Sequence, residues 1–147
     1  MTEPVLSVAG LTVATTGGDP VISDIEFTVA PGQIVGIVGE SGSGKSVTCK
    51  AVLGILPQQL RVQSGSVDLA GHPVLSYGFA EWRRLRGNVI SAVFQDPGSY
   101  LNPSVPVGRQ LATALRVAHG LPRRAAAQRA DEPVSYTHLT LPTNREV

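Results

Sequence analysis

One cysteine, Cys49, in 147 residues has no internal disulfide partner, so packing and hydrogen bonding must hold this chain together, and a reducing compartment is its expected home. Net charge is nearly absent as well. Twelve Lys and Arg stand against 11 Asp and Glu, a balance of +1 that supplies no driving force for generic nucleic-acid binding. No apolar run approaches the roughly 18 residues of a membrane-spanning helix; the longest candidates, Ile34 to Val38 and Val89 to Phe94, are short. No basic side chain precedes Lys45, so the N-terminus lacks the positively charged start expected of a secretory or transit peptide. What the chain does have is 42% hydrophobic and 16% charged residues, with 16 Gly and 11 Pro. That is enough apolar mass for the core of one domain or part of one, interrupted by many turns.

Apolar spacing orders the chain. Leu6, Val8, Leu11 and Val13 predict one strand, and Ile22, Ile25, Phe27 and Val29 a second beyond the Gly17-Gly18-Asp19-Pro20 turn. Residues 33 to 39, QIVGIVG, form a nearly continuous apolar run too short for a helix, which predicts a strand buried on both faces. Val47, Ala51, Val52, Ile55 and Leu56 then recur at helical spacing, predicting a helix from about Lys45 to Pro57. Residues 64 to 75 read as a hairpin, and residues 79 to 87 as one or two helical turns with Arg83, Arg84 and Arg86 outside. NVISAVFQ, residues 88 to 95, predicts a second buried strand. Val107 to His119 predicts an amphipathic helix through Leu111, Leu115 and Val117, and another helix should begin near Pro122.

The strongest chemical signal is GESGSGKS, residues 39 to 46, which fits G-x-x-x-x-G-K-S with Gly39, Gly44, Lys45 and Ser46 at the fixed positions. Glycines free the backbone for conformations closed to other residues, so N–H groups from about Gly42 to Ser46 can turn inward around phosphate oxygens. A helix N-terminus adds its positive end, Lys45 a point charge for β- and γ-phosphates, and the Ser46 hydroxyl a ligand for Mg²⁺. Strand, glycine loop and helix in that order predict a phosphate site comprising Gly39, Ser41, Gly42, Ser43, Gly44, Lys45, Ser46 and Val47. A phosphate loop alone names no reaction, because kinases, GTPases and transport ATPases share it.

From about Leu6 to Glu132 the sequence resembles the ATP-binding subunits of ABC transporters, within them the oligopeptide, dipeptide and nickel importer group. The resemblance is carried by LTV at 11 to 13, FTVAPGQIVGIVGESGSGKS, LGILP at 53 to 57, SGSV at 64 to 67, RLRG at 84 to 87 and VFQDPGSYLNP at 93 to 103. It implies an α/β P-loop NTPase of the ABC type: an N-terminal antiparallel β subdomain, the start of the nucleotide-binding core, and the start of a helical subdomain over about 104–132. It implies ATP and Mg²⁺ as cofactors, membrane-spanning permease subunits and a second nucleotide-binding subunit as partners, and a solute-binding protein reached indirectly. A peripheral place on the cytoplasmic face of the membrane follows, as does ATP hydrolysis coupled to import of peptides or similar small solutes. In the resemblance Gln95 opens the Q-loop, residues 93–103, touching the metal and the attacking water; a neutral amide with donor and acceptor atoms can leave a metal without abandoning a buried charge. The residues by themselves keep Asp96 in play, since an apolar strand ending in Asp is how a metal-binding Walker B carboxylate appears, while before Pro97 the same residue can simply start a turn.

Several of the family's parts are missing: a signature loop, a Walker B strand ending in Asp-Glu, and a switch histidine. The adenine-stacking aromatic is absent or displaced, Thr15 standing near its position. The family places the first three downstream of where this chain ends, so their absence is the one expected of a truncated sequence. Residues 133 to 147 break the helical pattern of RRAAAQRADE, and VSYTHLTLPT resembles translated read-through of a sequencing adapter, so native sequence is expected to stop near Glu132 and the remainder to be a non-native tail. His119 reads as a solvent-facing helix residue, His72 lies in a turn, and His138 belongs to the suspect tail. Cys49 reads as a small buried side chain, and Tyr100 as a loop aromatic covering its neighbours. Two other readings compete: a nucleotide-binding module without turnover, and a different P-loop kinase or GTPase. A GTPase would need an N-K-x-D guanine motif, which does not occur, and a kinase an arginine-rich lid, to which residues 123 to 129 are a poor fit.

Overall fold

A computed structural model describes residues 3–136, which fall in two compact units divided after Ile90. The first is built on an antiparallel sheet of order β2-β1-β3-β4. Strands β1 (Leu6–Thr15) and β2 (Pro20–Val29) form the expected hairpin, with Leu6 opposite Val29 and Val8 opposite Phe27. Thr15 closes the turn: its N–H donates to Asp19 O at 2.8 Å, and its Oγ1 accepts the Asp19 N–H at 3.1 Å. Strand β3 (Leu60–Leu69) pairs with the other edge of β1, placing Val8 opposite Val67 and Leu6 opposite Leu69. That long-range pairing has no local sequence signal.

The hairpin read over residues 64–75 is present but lopsided. β3 starts earlier, at Leu60, and β4 is only His72–Pro73, followed by a 3₁₀ turn at Val74–Ser76. At its corner Ala70 and Gly71 both have positive φ, 51° and 82°, as a two-residue type I′ turn requires. Asp68 Oδ1 accepts the Gly71 N–H at 2.8 Å. Where β1 and β3 shift register, Gly10 and Gly65 face one another backbone to backbone. Gly65 has φ +97°, and a Cβ there would stand 2.5 Å from the Gly10 carbonyl.

Two helices complete this unit. Helix α1 (Lys45–Val52) starts where its spacing predicts but ends before Ile55 and Leu56. Gly54, at φ +63°, stops it in a Schellman closure, with Gly54 N–H on Ala51 O and Ile55 N–H on Lys50 O. Helix α2 (Phe79–Leu85) buries Trp82 and Leu85. These two side chains join Ala51 and Val52 of α1 and Val8, Leu11, Val13, Ile22, Val67, Leu69 and Val74 in one apolar core. α1 turns Thr48, Ala51 and Val52 inward, which leaves Cys49 off the buried stripe: it is exposed, not the buried side chain expected of it.

Arg83, Arg84 and Arg86 are exposed as anticipated, yet Arg86 is more than a solvated charge. Its Nη2 donates to Leu53 O at 3.3 Å and Gly54 O at 3.0 Å, and its guanidinium lies 5.1 Å from the Trp82 ring centroid. A cation therefore sits on the negative end of α1 and supplies donors to carbonyls beyond its last turn. Trp82 packs so closely on Gly54 that a Cβ there would overlap its indole.

The two buried strands expected at 33–39 and 88–95 do not form. No ladder includes either segment among the described residues, and Ile34, Val38 and Val93 are 96%, 95% and 93% exposed. The sole bridge nearby is the parallel one between Arg86 and Ile90. An apolar run becomes a buried strand only when neighbouring strands accept its backbone hydrogen bonds and cover both faces, and the antiparallel sheet offers these runs no such place.

In the second unit a 3₁₀ turn at Pro97–Tyr100 precedes an antiparallel helical hairpin, α3 (Val107–His119) and α4 (Arg123–Tyr136). Gly120, at φ +64°, caps α3, with its N–H on Arg116 O at 3.0 Å. Ala126 and Ala130 of α4 are fully buried, against a stripe of α3 that includes half-buried Leu111, Leu115 and Ala118. Val117, expected on that stripe, is 68% exposed, because two residues beyond Leu115 is nearly the opposite side of a helix. His119 is exposed. α4 continues past Glu132 to Tyr136, so Pro133 does not end it; in the last turn a proline removes one hydrogen bond on which little further helix depends. The rest of the tail reading, residues 137–147 with His138, lies outside the described residues.

Two substitutions check this account. Gly65→Ala should lower unfolding stability by at least about 2 kcal/mol, read as the urea midpoint in pulse proteolysis, because a side chain at positive φ would also strike the Gly10 backbone. Arg86→Ala should cost about 1 kcal/mol and speed hydrogen exchange at Leu53, Gly54 and Ile55, with little change in β1.

Candidate functional site

The glycine-rich loop reaches α1 under a firm steric constraint. Gly42 and Gly44 hold φ of 84° and 88°, and Gly44 lies against Ile22, so a Cβ at 44 would collide with that side chain. Ile22 is a core residue of β2, 5% exposed. The sheet thus fixes where the loop becomes a helix. Gly39 lies close to the loop's far side, where a Cβ would meet Ser43 Oγ at 2.8 Å.

Gly44 is the N-cap of α1 and offers no side chain to its first turn, which contains no acidic residue. The N–H groups of Lys45, Ser46 and Val47 have no helical carbonyl to bond, and the positive end of the helix is uncompensated by a neighbouring carboxylate within that turn. Thr48 N–H, by contrast, already donates to Gly44 O at 2.9 Å, and Ser43 N–H to Glu40 O at 3.2 Å. Lys45 folds back over the loop: Nζ donates to Gly39 O at 2.8 Å, Glu40 O at 2.5 Å and Ser43 Oγ at 3.2 Å. The three donors of the ammonium are therefore held by neutral oxygens of the loop itself.

Ser41 and Ser46 are exposed, and the side chain of Val47 packs against the core, which leaves only its backbone N–H to the loop. This arrangement suits a polyanion: an uncapped helix start, a lysine and glycine-permitted backbone gather on one short loop. Among the described residues no three His, Cys, Asp or Glu side chains cluster as metal ligands. A single serine hydroxyl at the helix start fits Mg²⁺, which takes few protein ligands and completes its shell with phosphate oxygens and water.

Gln95 belongs to the second unit, exposed, in irregular backbone between Phe94 and Asp96. Phe94 stacks on Tyr100 at 4.8 Å between centroids and 23° between planes, so Tyr100 covers a neighbouring loop residue. Asp96 starts the 3₁₀ turn, its carbonyl accepting from Ser99 N–H at 3.3 Å and Ser99 Oγ at 2.8 Å. Its backbone thus does what a turn-starting residue before proline does, and the carboxylate is exposed. Thr15 is a turn former at the end of β1, and His72 accepts or donates a hydrogen bond at 3.0 Å between Nδ1 and the Tyr77 hydroxyl. No helix among the described residues is long and apolar enough to cross a membrane.

Known proteins resemble this chain in sequence and in fold. The oligopeptide transport ATP-binding protein OppD of Mycobacterium tuberculosis is 42% identical over 147 residues, covering 97% of this chain and 24% of OppD. The metal-staphylopine import system ATP-binding protein CntD of Staphylococcus aureus is 34% identical over 138 residues, 93% of this chain and 51% of CntD. Among solved structures, cbiO1 from Clostridium perfringens, described as part of the ABC transporter complex cbiONQ, superposes with a TM-score of 0.69 at 25% identity over 90% of this chain and 50% of that one. The chain spans about half or less of the length of the curated relatives it matches. The ABC transporter family model matches residues 22–146, from Ile22 of β2 through the helical hairpin, and the chain belongs to that family.

Proposed function

We propose that this chain is the nucleotide-binding end of an ATP-binding subunit whose ATP hydrolysis drives import of peptides or similar small solutes, working peripherally on the cytoplasmic face of the membrane. The observation that carries the reading is the loop held by Gly44 against Ile22, with Lys45 folded over it and α1 starting uncapped. The oligopeptide and metal-staphylopine names of the relatives support small-solute import. Permease subunits, a second nucleotide-binding subunit and, through them, a solute-binding protein are the partners this role requires.

On binding ATP, the Lys45 ammonium exchanges the carbonyls of Gly39 and Glu40 for oxygens of the β- and γ-phosphates, a charge-assisted replacement of neutral acceptors. Backbone N–H groups at Gly42, Gly44, Lys45, Ser46 and Val47 surround the phosphates, while Ser41, Ser43 and Gly39 shape the loop. Ser46 is the residue of this loop that would hold Mg²⁺, which when bound would neutralise charge developing on the transferred phosphoryl group; for Gln95, contact with the metal is carried over from the family resemblance alone. Gln95 orients the attacking water through its amide and senses whether the γ-phosphate is present. Hydrolysis is proposed for the whole subunit in its assembly, since we assign no residue of this chain to deprotonate that water.

With a threonine where the family has a base-stacking aromatic, recognition rests on phosphates more than on adenine. ATP, GTP and inorganic triphosphate should therefore compete for the purified chain in the presence of Mg²⁺, with affinities within about tenfold of one another. Lys45→Ala should weaken all three by at least about tenfold in a calorimetric titration. Undiminished binding by that variant would overturn the phosphate-site reading.

A further inference from the structure

We propose that Gln110 is a positioning residue that locks the loop following Gln95 to the helical hairpin, so that both respond to nucleotide as one piece; this rests on the reading of Gln95 given above. Gln110 lies in the first turn of α3, and its side-chain amide makes three hydrogen bonds, with both Nε2 donors engaged. Oε1 accepts the Asn102 N–H at 2.9 Å, while Nε2 donates to Asn102 O at 2.9 Å and to Val105 O at 2.7 Å. A primary amide thereby pairs with both polar groups of one residue in the loop, as a neighbouring strand would, and takes a third carbonyl from the segment entering the helix. The loop side of this contact is continuous with Gln95. Phe94 stacks on Tyr100, Ser99 N–H bonds Asp96 O, Leu101 N–H bonds Gly98 O at 3.1 Å, and Asn102 follows. Asn102 also fixes the far side, its Oδ1 accepting the Ser104 N–H at 2.9 Å. Every link between Gln95 and α3 is thus a short turn or a paired group, and Gln110 is the one side chain of α3 recorded in hydrogen bonds to that loop among the described residues.

No other side chain of this size substitutes. Methionine has the length and no hydrogen bonds. Glutamate keeps the bond to Asn102 N–H but sets its second oxygen against two carbonyls. The test uses the importer assembled with the complete subunit carrying this sequence, comparing Gln110→Met, Gln110→Glu and Gln95→Ala for ATP KM, basal hydrolysis and solute-stimulated hydrolysis. Both Gln110 variants should keep ATP KM and basal rate within about twofold while the stimulated-to-basal ratio falls at least about fivefold, and hydrogen exchange at Asn102 quickens. If Gln95→Ala loses stimulation while Gln110→Met keeps it, the lock alone is overturned. If Gln95→Ala also keeps it, the Gln95 reading falls and takes the lock with it. Joint loss of ATP affinity and basal rate in Gln110→Met would mean a general folding requirement and likewise overturn the proposal.

Discussion

The contact on which the rest depends is the one between Gly44 and Ile22. A residue with any side chain could not both take a left-handed backbone there and lie against a packed β2 isoleucine. That single requirement sets the direction in which α1 leaves the sheet, and with it the direction of the unpaired amides at the helix start. The electrostatics of the loop follow from it: an uncapped terminus with no acid in its first turn, and a lysine whose charge waits on neutral carbonyls.

Stability is arranged around the same helix. α1 is only eight residues long, too short to persist by its own backbone energetics, so it borrows order from its surroundings. Thr48, Ala51 and Val52 press into the core, Gly54 terminates it, and Arg86 and Trp82 close over its carboxyl end from α2. A helix held at both ends can present its amides in a constant geometry, which is what binding a multiply charged oxygen cluster demands.

Sequence patterns that are local in origin were legible, and those that depend on distant partners were not. The β1–β2 hairpin, the start of α1, the bounds of α3 and the glycine loop all arise within a short window of chain, where spacing, caps and turn residues carry the information. The end of α1 was misjudged because Leu56 is apolar for tertiary reasons, packing on the core after the helix has stopped. Cys49 and Val117 were misplaced by counting apolar character where only helical phase decides which side is covered. The β1–β3 ladder, the Arg86 cap and the Gln110 amide contacts join residues whose relation no spacing rule announces. The runs at 33–39 and 88–95 have the composition of buried strands without the neighbours that would make them so.

Those two runs carry a cost during biosynthesis. Ile34, Val38 and Val93 stand almost entirely in water, and exposed apolar side chains on an unfinished chain are what chaperones bind. A ribosome-bound copy would show the first run just before the glycine-rich loop emerges and the second well after it. Until other backbone and side chains cover them, these residues offer contact surface to any apolar partner, so association competes with folding for as long as they stay open.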